Sequence, residues 1–190
     1  MSNPILFVNA CVRTESRTRI IADKLLQQLG RPYDEIKLWE ISFPVVDEDF
    51  LRHRDRLISD RNFHDPLFDL ARQFAEAETI VIAAPYWDLS FPASLKQYIE
   101  QINVLGITFE YSDEGTPIGL CKANRLFYVS TAGGTFVPEE FGFGYIESLA
   151  RNFYGIKDVR RIIATGLDIV GADVEGILAD AEKSALDIIS

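Results

Sequence analysis

The sequence predicts an α/β protein built on one open, doubly wound, five-stranded parallel sheet of order 2-1-3-4-5, with helices on both faces. Three observations lead there. Apolar runs of strand length alternate with longer segments of helical period. The strand-like runs are apolar almost throughout, as strands buried on both faces of a parallel sheet are. Five such β-α units follow one another with no repeat, linker or low-complexity stretch, so residues 1–190 are read as a single domain.

The elements follow in order. The run ILFVN (5–9) is the first strand, and EIKLWE (35–40) the second. Between them, a helix over 17–29 places Ile20, Ile21, Leu25, Leu26 and Leu29 on one face. Residues 41–65 are too long for an ordinary connection; within them, RHRDRLISDR reads as a solvated helical turn or two. A helix over 66–77 leads to TIVIAA (79–84), the third strand. A helix over 92–104 carries Pro92 in its first turn, where proline is tolerated, and Leu95, Tyr98, Ile99 and Ile102 at helical spacing. RLFYVS (125–130), a helix over 144–154, VRRIIAT (159–165) and a helix over 173–189 complete the series.

Composition narrows the partners. With 47% hydrophobic and 25% charged residues the chain has a globular balance, and its net charge of −10 opposes binding to nucleic acid or to an anionic membrane surface. Cys11 and Cys121 form neither a metal-binding spacing nor a disulfide framework. No apolar run approaches the roughly 18 residues of a spanning helix, and no basic segment precedes the first strand, so a cytoplasmic location is expected.

In a doubly wound sheet, ligands bind beyond the carboxyl ends of the strands, where the winding reverses. Three loops converge there. The first, NACVRTESRT (9–18), opens a helix with Ser16 as a candidate N-cap; the hydroxyls of Ser16 and Thr18 and the charges of Arg13, Arg17 and Arg19 suit a phosphate monoester. It lacks glycine, so it is neither a G-x-G-x-x-G turn nor a Walker loop. A plain helix cap with solvated arginines is the simpler alternative. The second loop, PYWDLSF (85–91), sets Tyr86 and Trp87 at the lip of the sheet, where flat rings suit a planar ligand or pack beneath the 41–65 segment or in a subunit contact. The third, Thr131-Ala132-Gly133-Gly134, allows close backbone approach to a ligand, or makes a plain turn. A phosphate at one end, a flat ring system in the middle and backbone donors beyond it outline flavin mononucleotide. His53 and His64 lie in the long insert and read as surface residues.

Taken in order, NACVRTESRT, FPVVD, VIAAPYWDLSFPASLKQYIEQI, GITFEYSDEGTPIGL and VSTAGG resemble the flavodoxin-like FMN-dependent NAD(P)H:quinone oxidoreductases and azoreductases over nearly the whole chain. The resemblance implies a flavodoxin-like fold, a homodimer with two sites at its interface, one FMN per subunit, and NADH or NADPH as co-substrate for a quinone, azo or nitro acceptor. It assigns Ser16, Arg17 and Thr18 to the phosphate. It sets Pro85, Tyr86, Trp87, Asp88 and Leu89 at the flavin edge, and Thr131, Ala132, Gly133 and Gly134 on the pyrimidine side. Two positions depart: Ala10 stands where azoreductases tend to carry serine, and Asp88 where they tend to carry asparagine. The first bears on phosphate affinity, the second on flavin reactivity or on whether flavin binds at all. The aromatic stretch FVPEEFGFGYIESL (136–149) adds to the dimer expectation.

In this reading no side chain is required as catalytic acid or base, because the flavin carries the hydride chemistry. A flavodoxin-like electron carrier and a flavin-free binding homologue remain as alternatives. A receiver-type phosphoacceptor would need acids where Asn9 and Pro85 stand, and an iron–sulfur flavoprotein would need clustered cysteines.

Overall fold

The computed structural model describes residues 5–189; the lead-in at 1–4, on which the expectation of no signal segment rests, lies outside the described residues. Strands β1 (Ile5–Asn9), β2 (Tyr33–Lys37), β3 (Thr79–Ala83), β6 (Arg125–Thr131) and β7 (Asp158–Ala164) form one sheet in the order β2-β1-β3-β6-β7, every pairing parallel. This is the expected 2-1-3-4-5 sheet. Two short strands, β4 (Phe109–Tyr111) and β5 (Pro117–Gly119), pair as a separate antiparallel hairpin. The helices are α1 (Arg17–Leu29), α2 (Glu48–Ser59), α3 (Asp69–Glu76), α4 (Ala93–Ile102), α5 (Phe143–Asn152) and α6 (Val174–Asp187).

Alternation along the buried strands divides the core in two. Leu6, Val8, Ile80, Ile82, Leu126 and Tyr128 face one way, onto Phe74 of α3, Leu95 and Tyr98 of α4 and Ile146 of α5. Ile5, Phe7, Val81, Ala83, Phe127 and Val129 face the other, onto Ile21 and Leu25 of α1 and Ala181 and Ala185 of α6. Both faces are therefore apolar, which is why the strand sequences read as continuous runs. No helix among the described residues is long and apolar enough to cross a membrane.

Two expectations change. The second strand begins and ends earlier than 35–40. β1, its neighbour, stops at Asn9 opposite Lys37, so residues 38–40 have no partner and turn into a 3-10 helix that buries Leu38. In the 41–65 segment the helical turn or two is a full helix, α2, capped by Asp47, whose carboxylate accepts from the amide of Phe50 at 2.8 Å. Leu57 is the one buried residue of that helix, so its period hardly shows in the sequence. His53 and His64 are both exposed.

The β4–β5 hairpin was not anticipated, because strands this short carry little pattern. It docks where Gly119 meets the backbone of Tyr154 and Gly155 so closely that any Cβ there would overlap it.

Candidate functional site

The carboxyl ends of β1, β3 and β6 open onto one cleft of about 510 Å³, within the range of small-molecule and cofactor sites. Its floor begins at the start of α1. Ser16 caps the helix: its backbone is extended, and its hydroxyl accepts from the amide of Arg19 at 3.3 Å. Helix geometry leaves the amides of Arg17 and Thr18 without intrahelical acceptors, so this helix start presents hydrogen-bond donors and the positive end of the dipole. The Thr18 hydroxyl meets that of Thr131 at 2.6 Å, tying the helix start to the end of β6.

The loop after β1 is shaped from within. The Asn9 side chain accepts from the Cys11 amide at 2.9 Å and donates to Glu35 at 2.7 Å. Ala10 continues the β1–β3 pairing through its amide to the Ala83 carbonyl at 2.8 Å. Its side chain is wholly buried and takes no part in lining the cleft. Cys11 is also buried, and loss of hydration pushes its thiol up to about 11.

The loop after β3 first prolongs the sheet, with the Ala84 amide donating to Val129 at 3.0 Å and that of Tyr86 to Thr131 at 2.9 Å. Trp87 and Ser90 then exchange backbone hydrogen bonds at 3.0 and 2.8 Å around a two-residue turn. Asp88 and Leu89, its central residues, have φ of 51° and 66°. Two consecutive left-handed residues match the tight hairpin turn in which Asn and Asp are favoured at the first position, and Leu is not suited to the second. The abrupt end of this strand therefore rests on a strained turn that projects Pro85, Tyr86 and Trp87 along the cleft. Asp88 and Leu89 themselves line an adjoining apolar hollow of about 520 Å³ with Phe91, Lys96, Phe141 and Tyr145.

The loop after β6 brings Thr131, Ala132 and Gly133 to the cleft, and Gly134 lies outside its lining. Sequence reasoning missed the fourth wall, the loop after β7. It is zipped to the third loop by the amides of Leu167 to Ala132 (3.3 Å), Asp168 to Gly133 (2.9 Å) and Gly166 to Gly134 (2.9 Å). The Asp168 side chain reaches across to Arg17, which donates to it at 2.7 Å and to the Leu167 carbonyl at 3.2 Å. Gly133 is not in the left-handed region, and a Cβ there would overlap the Asp168 carboxylate.

The donor set fits a flavin mononucleotide: a helix start with two hydroxyls and arginine at one end, and aromatic walls and exposed backbone at the other. The carboxylates of Glu15 and Asp168, which also line the cleft, are of the wrong sign for the phosphate end.

The fold compares closely with solved azoreductases. One from Bacillus anthracis superposes with a TM-score of 0.85 over 98% of each chain at 22% identity. An FMN-dependent NADH-azoreductase from the same organism, in complex with FMN, gives 0.80 over 99% of this chain and 100% of that one at 20% identity. At such identities the likeness speaks for the fold. Closer in sequence are FMN-dependent NADH:quinone oxidoreductase 2 of Clostridium acetobutylicum, 37% identical over 95% of both chains, and the FMN-dependent NADH:quinone oxidoreductase of Clostridium beijerinckii, 35% identical over 96% of both. With the flavodoxin-like fold family matching residues 3–189 as well, the chain belongs to the flavodoxin-like family, alongside the FMN-dependent NADH:quinone oxidoreductases.

Proposed function

We propose that the protein binds FMN in this cleft and works as an NADH- or NADPH-dependent oxidoreductase that reduces quinone or azo compounds. The observation that carries the reading is the meeting of the α1 start, the Pro85–Trp87 wall and the Thr131–Gly133 backbone in one cleft of cofactor size. Relatives 35–37% identical over nearly their whole length are named FMN-dependent NADH:quinone oxidoreductases, which supports the FMN, NADH and quinone parts of the reading.

In this reading Ser16, Arg17 and Thr18 hold the phosphate through hydroxyls, amides and guanidinium. Pro85, Tyr86 and Trp87 border the ring system, and the Asp88-Leu89 turn fixes their direction. Thr131, Ala132 and Gly133 border its pyrimidine side; with the Ala132 amide bonded to the Ala164 carbonyl and Gly134 outside the lining, the Gly133 amide is the donor that would stabilise negative charge there, as oxyanion donors do. Ala10 acts only from beneath the loop. Bound FMN supplies hydride transfer in two half-reactions, first from the reduced nicotinamide and then to the acceptor. The chain's own part is to hold the ring with one face open and to keep the charged end anchored.

We further take the working unit to be a homodimer in the cytoplasm. Trp87 at the cleft and Leu89 and Phe141 at the adjoining hollow leave large apolar side chains exposed, and a closed two-fold dimer is the commonest oligomer that can cover them. Two free cysteines suit a reducing compartment. The net charge of −10 makes nucleic acid and anionic membrane poor partners.

The decisive experiment is the visible spectrum of the purified protein during FMN titration, followed by mixing with NADH and a quinone. Flavin bands that bleach with NADH and return with quinone are expected. A protein that stays colourless at micromolar FMN overturns the reading in favour of a flavin-free homologue. Bound flavin that NADH leaves oxidised points to an electron carrier.

A further inference from the structure

We propose that Asp168 is a gating carboxylate that competes with the cofactor's phosphate for Arg17, and so sets how tightly a phosphorylated flavin is held. The inference rests on the FMN reading above and concerns a residue outside the three loops that suggested it.

Arg17, the first residue of α1, and Arg13 are the cations lining the cleft at the helix start. One of the Arg17 nitrogens is already shared between Asp168 at 2.7 Å and the Leu167 carbonyl at 3.2 Å, so the Arg17 charge is neutralised at the lip of the cleft. The carboxylate also fills the space above Gly133, where a methyl group would overlap it. It therefore spans both ends of the cleft, the helix start and the glycine turn.

Asp168 cannot leave with its loop. The three amide bonds from Gly166, Leu167 and Asp168 to Gly134, Ala132 and Gly133 hold the backbone in continuation of the β6–β7 ladder. Only side-chain rotation frees Arg17, and even then the negative charge stays close by. A phosphate monoester brings about 1.5 to 2 further negative charges at neutral pH. It then competes with the carboxylate for the one guanidinium charge of Arg17, whichever nitrogens it reaches. The pair is partly open to water, with side-chain exposures of 40% for Arg17 and 71% for Asp168, so it is weak enough to yield. The same exposure means that replacing Asp168 leaves the fold intact.

The test compares FMN with riboflavin, which has the same ring and no phosphate. Dissociation constants are measured by quenching of flavin fluorescence at low salt, for the flavin-free wild type, Asp168→Asn, Arg17→Gln and the double variant. Asp168→Asn should tighten FMN by about two- to fivefold, within the range of an exposed ion pair, and leave riboflavin unchanged. Arg17→Gln should weaken FMN, and in that background Asp168→Asn should gain less than about twofold. Unchanged or weaker FMN binding by Asp168→Asn overturns the gate. So does an equal gain for riboflavin, or a full gain that survives Arg17→Gln. A wild type that binds FMN in any of these cases leaves the cofactor reading standing; one that binds neither flavin removes both.

Discussion

The hydroxyls of Thr18, in the first turn of α1, and Thr131, the last residue of β6, meet at 2.6 Å with both side chains buried. One donates and the other accepts, so the acceptor's own hydrogen remains for a third group, and both residues line the cleft. Thr18→Val keeps the shape but leaves the Thr131 hydroxyl buried without its partner. A loss of about 1–2 kcal/mol is expected. For a chain of this size that lowers Tm by roughly 2–8 °C. The double variant Thr18→Val/Thr131→Val should lose less than the sum of the singles, because removing both partners strands neither. Denaturant unfolding of the four proteins checks this; strict additivity would mean that the two hydroxyls do not depend on each other.

Leu89 carries a branched side chain at φ 66° in the turn that projects Trp87. The left-handed conformation costs an ordinary residue about 1–2 kcal/mol, and glycine adds about 0.5–1 kcal/mol of unfolded-state entropy. Leu89→Gly should therefore stabilise the protein by up to about 1 kcal/mol. Asp88→Asn, at φ 51°, should change stability by less than about 0.5 kcal/mol, since both residues tolerate this region. Lower stability in Leu89→Gly would show that the Leu89 side chain contributes packing that outweighs its backbone strain.

Asp158 opens β7 between two arginines. Its carboxyl is held below the usual range, first by the hydrogen bond from Arg160 at 2.7 Å, against partial burial that raises it, and then by Arg125 at 2.5 Å. Both arginines also reach the carbonyls of Ile188 and Ile189, so the cluster fastens the end of α6 to the sheet. A depressed carboxyl stabilises the fold above the unfolded pKa of about 3.9, and that contribution disappears as pH falls through the lower folded value. Asp158→Asn should lose up to about 1 kcal/mol at pH 7, a limit set by the 34% exposure of the side chain, with a smaller difference from wild type at pH 3. Urea titrations at the two pH values decide it. An equal gap at both would assign the effect to packing.

How much was legible follows from where the information lies. β1, β3 and the middle of β6 are apolar because both faces of the sheet are covered, and that pattern is local; β7, at the sheet edge, carries Asp158, Arg160 and Arg161 and shows it only in its second half. The end of β2 is not local, since it is set by where β1 stops, opposite Lys37. α2 was hard to read because it buries only Leu57. At the site, Ser16, Thr18, Tyr86, Trp87 and Gly133 were visible as loop chemistry after strands, and they do meet. Ala10, Asp88, Leu89 and Gly134 belong to the same loops but point elsewhere, because neighbours in a loop need not share a direction. Asp168 was invisible: nothing in TGLDIVGAD marks a ligand site, and its partner Arg17 is 151 residues away in the chain. The pairing of β6 with β7 brings them together.

The two adjacent glycines of the β6 loop should differ sharply when substituted. Around Gly134, nothing lies within 4 Å of an added Cβ, and no left-handed φ requires glycine there. Gly134→Ala should leave stability within about 0.5 kcal/mol of wild type, as a surface change does. A side chain at Gly133 meets the Asp168 carboxylate, the free end of a solvent-exposed side chain that can rotate aside. Gly133→Val should therefore fold, at a loss of about 1 kcal/mol or more, because rotation removes the carboxylate but leaves the Asp168 Cβ 3.1 Å from the new one, so the loop must give by a few tenths of an ångström. Its branched side chain and the displaced carboxylate both enter the cleft, and the backbone can no longer approach a ring closely. FMN affinity should fall by about tenfold or more, equivalent to about 1.4 kcal/mol, while Gly134→Ala stays within a few-fold of wild type. Flavin titration together with denaturant unfolding of both variants separates the two effects. Unchanged FMN affinity in Gly133→Val would remove this turn from the site, whereas an unfolded variant would mean that Asp168 cannot rotate away.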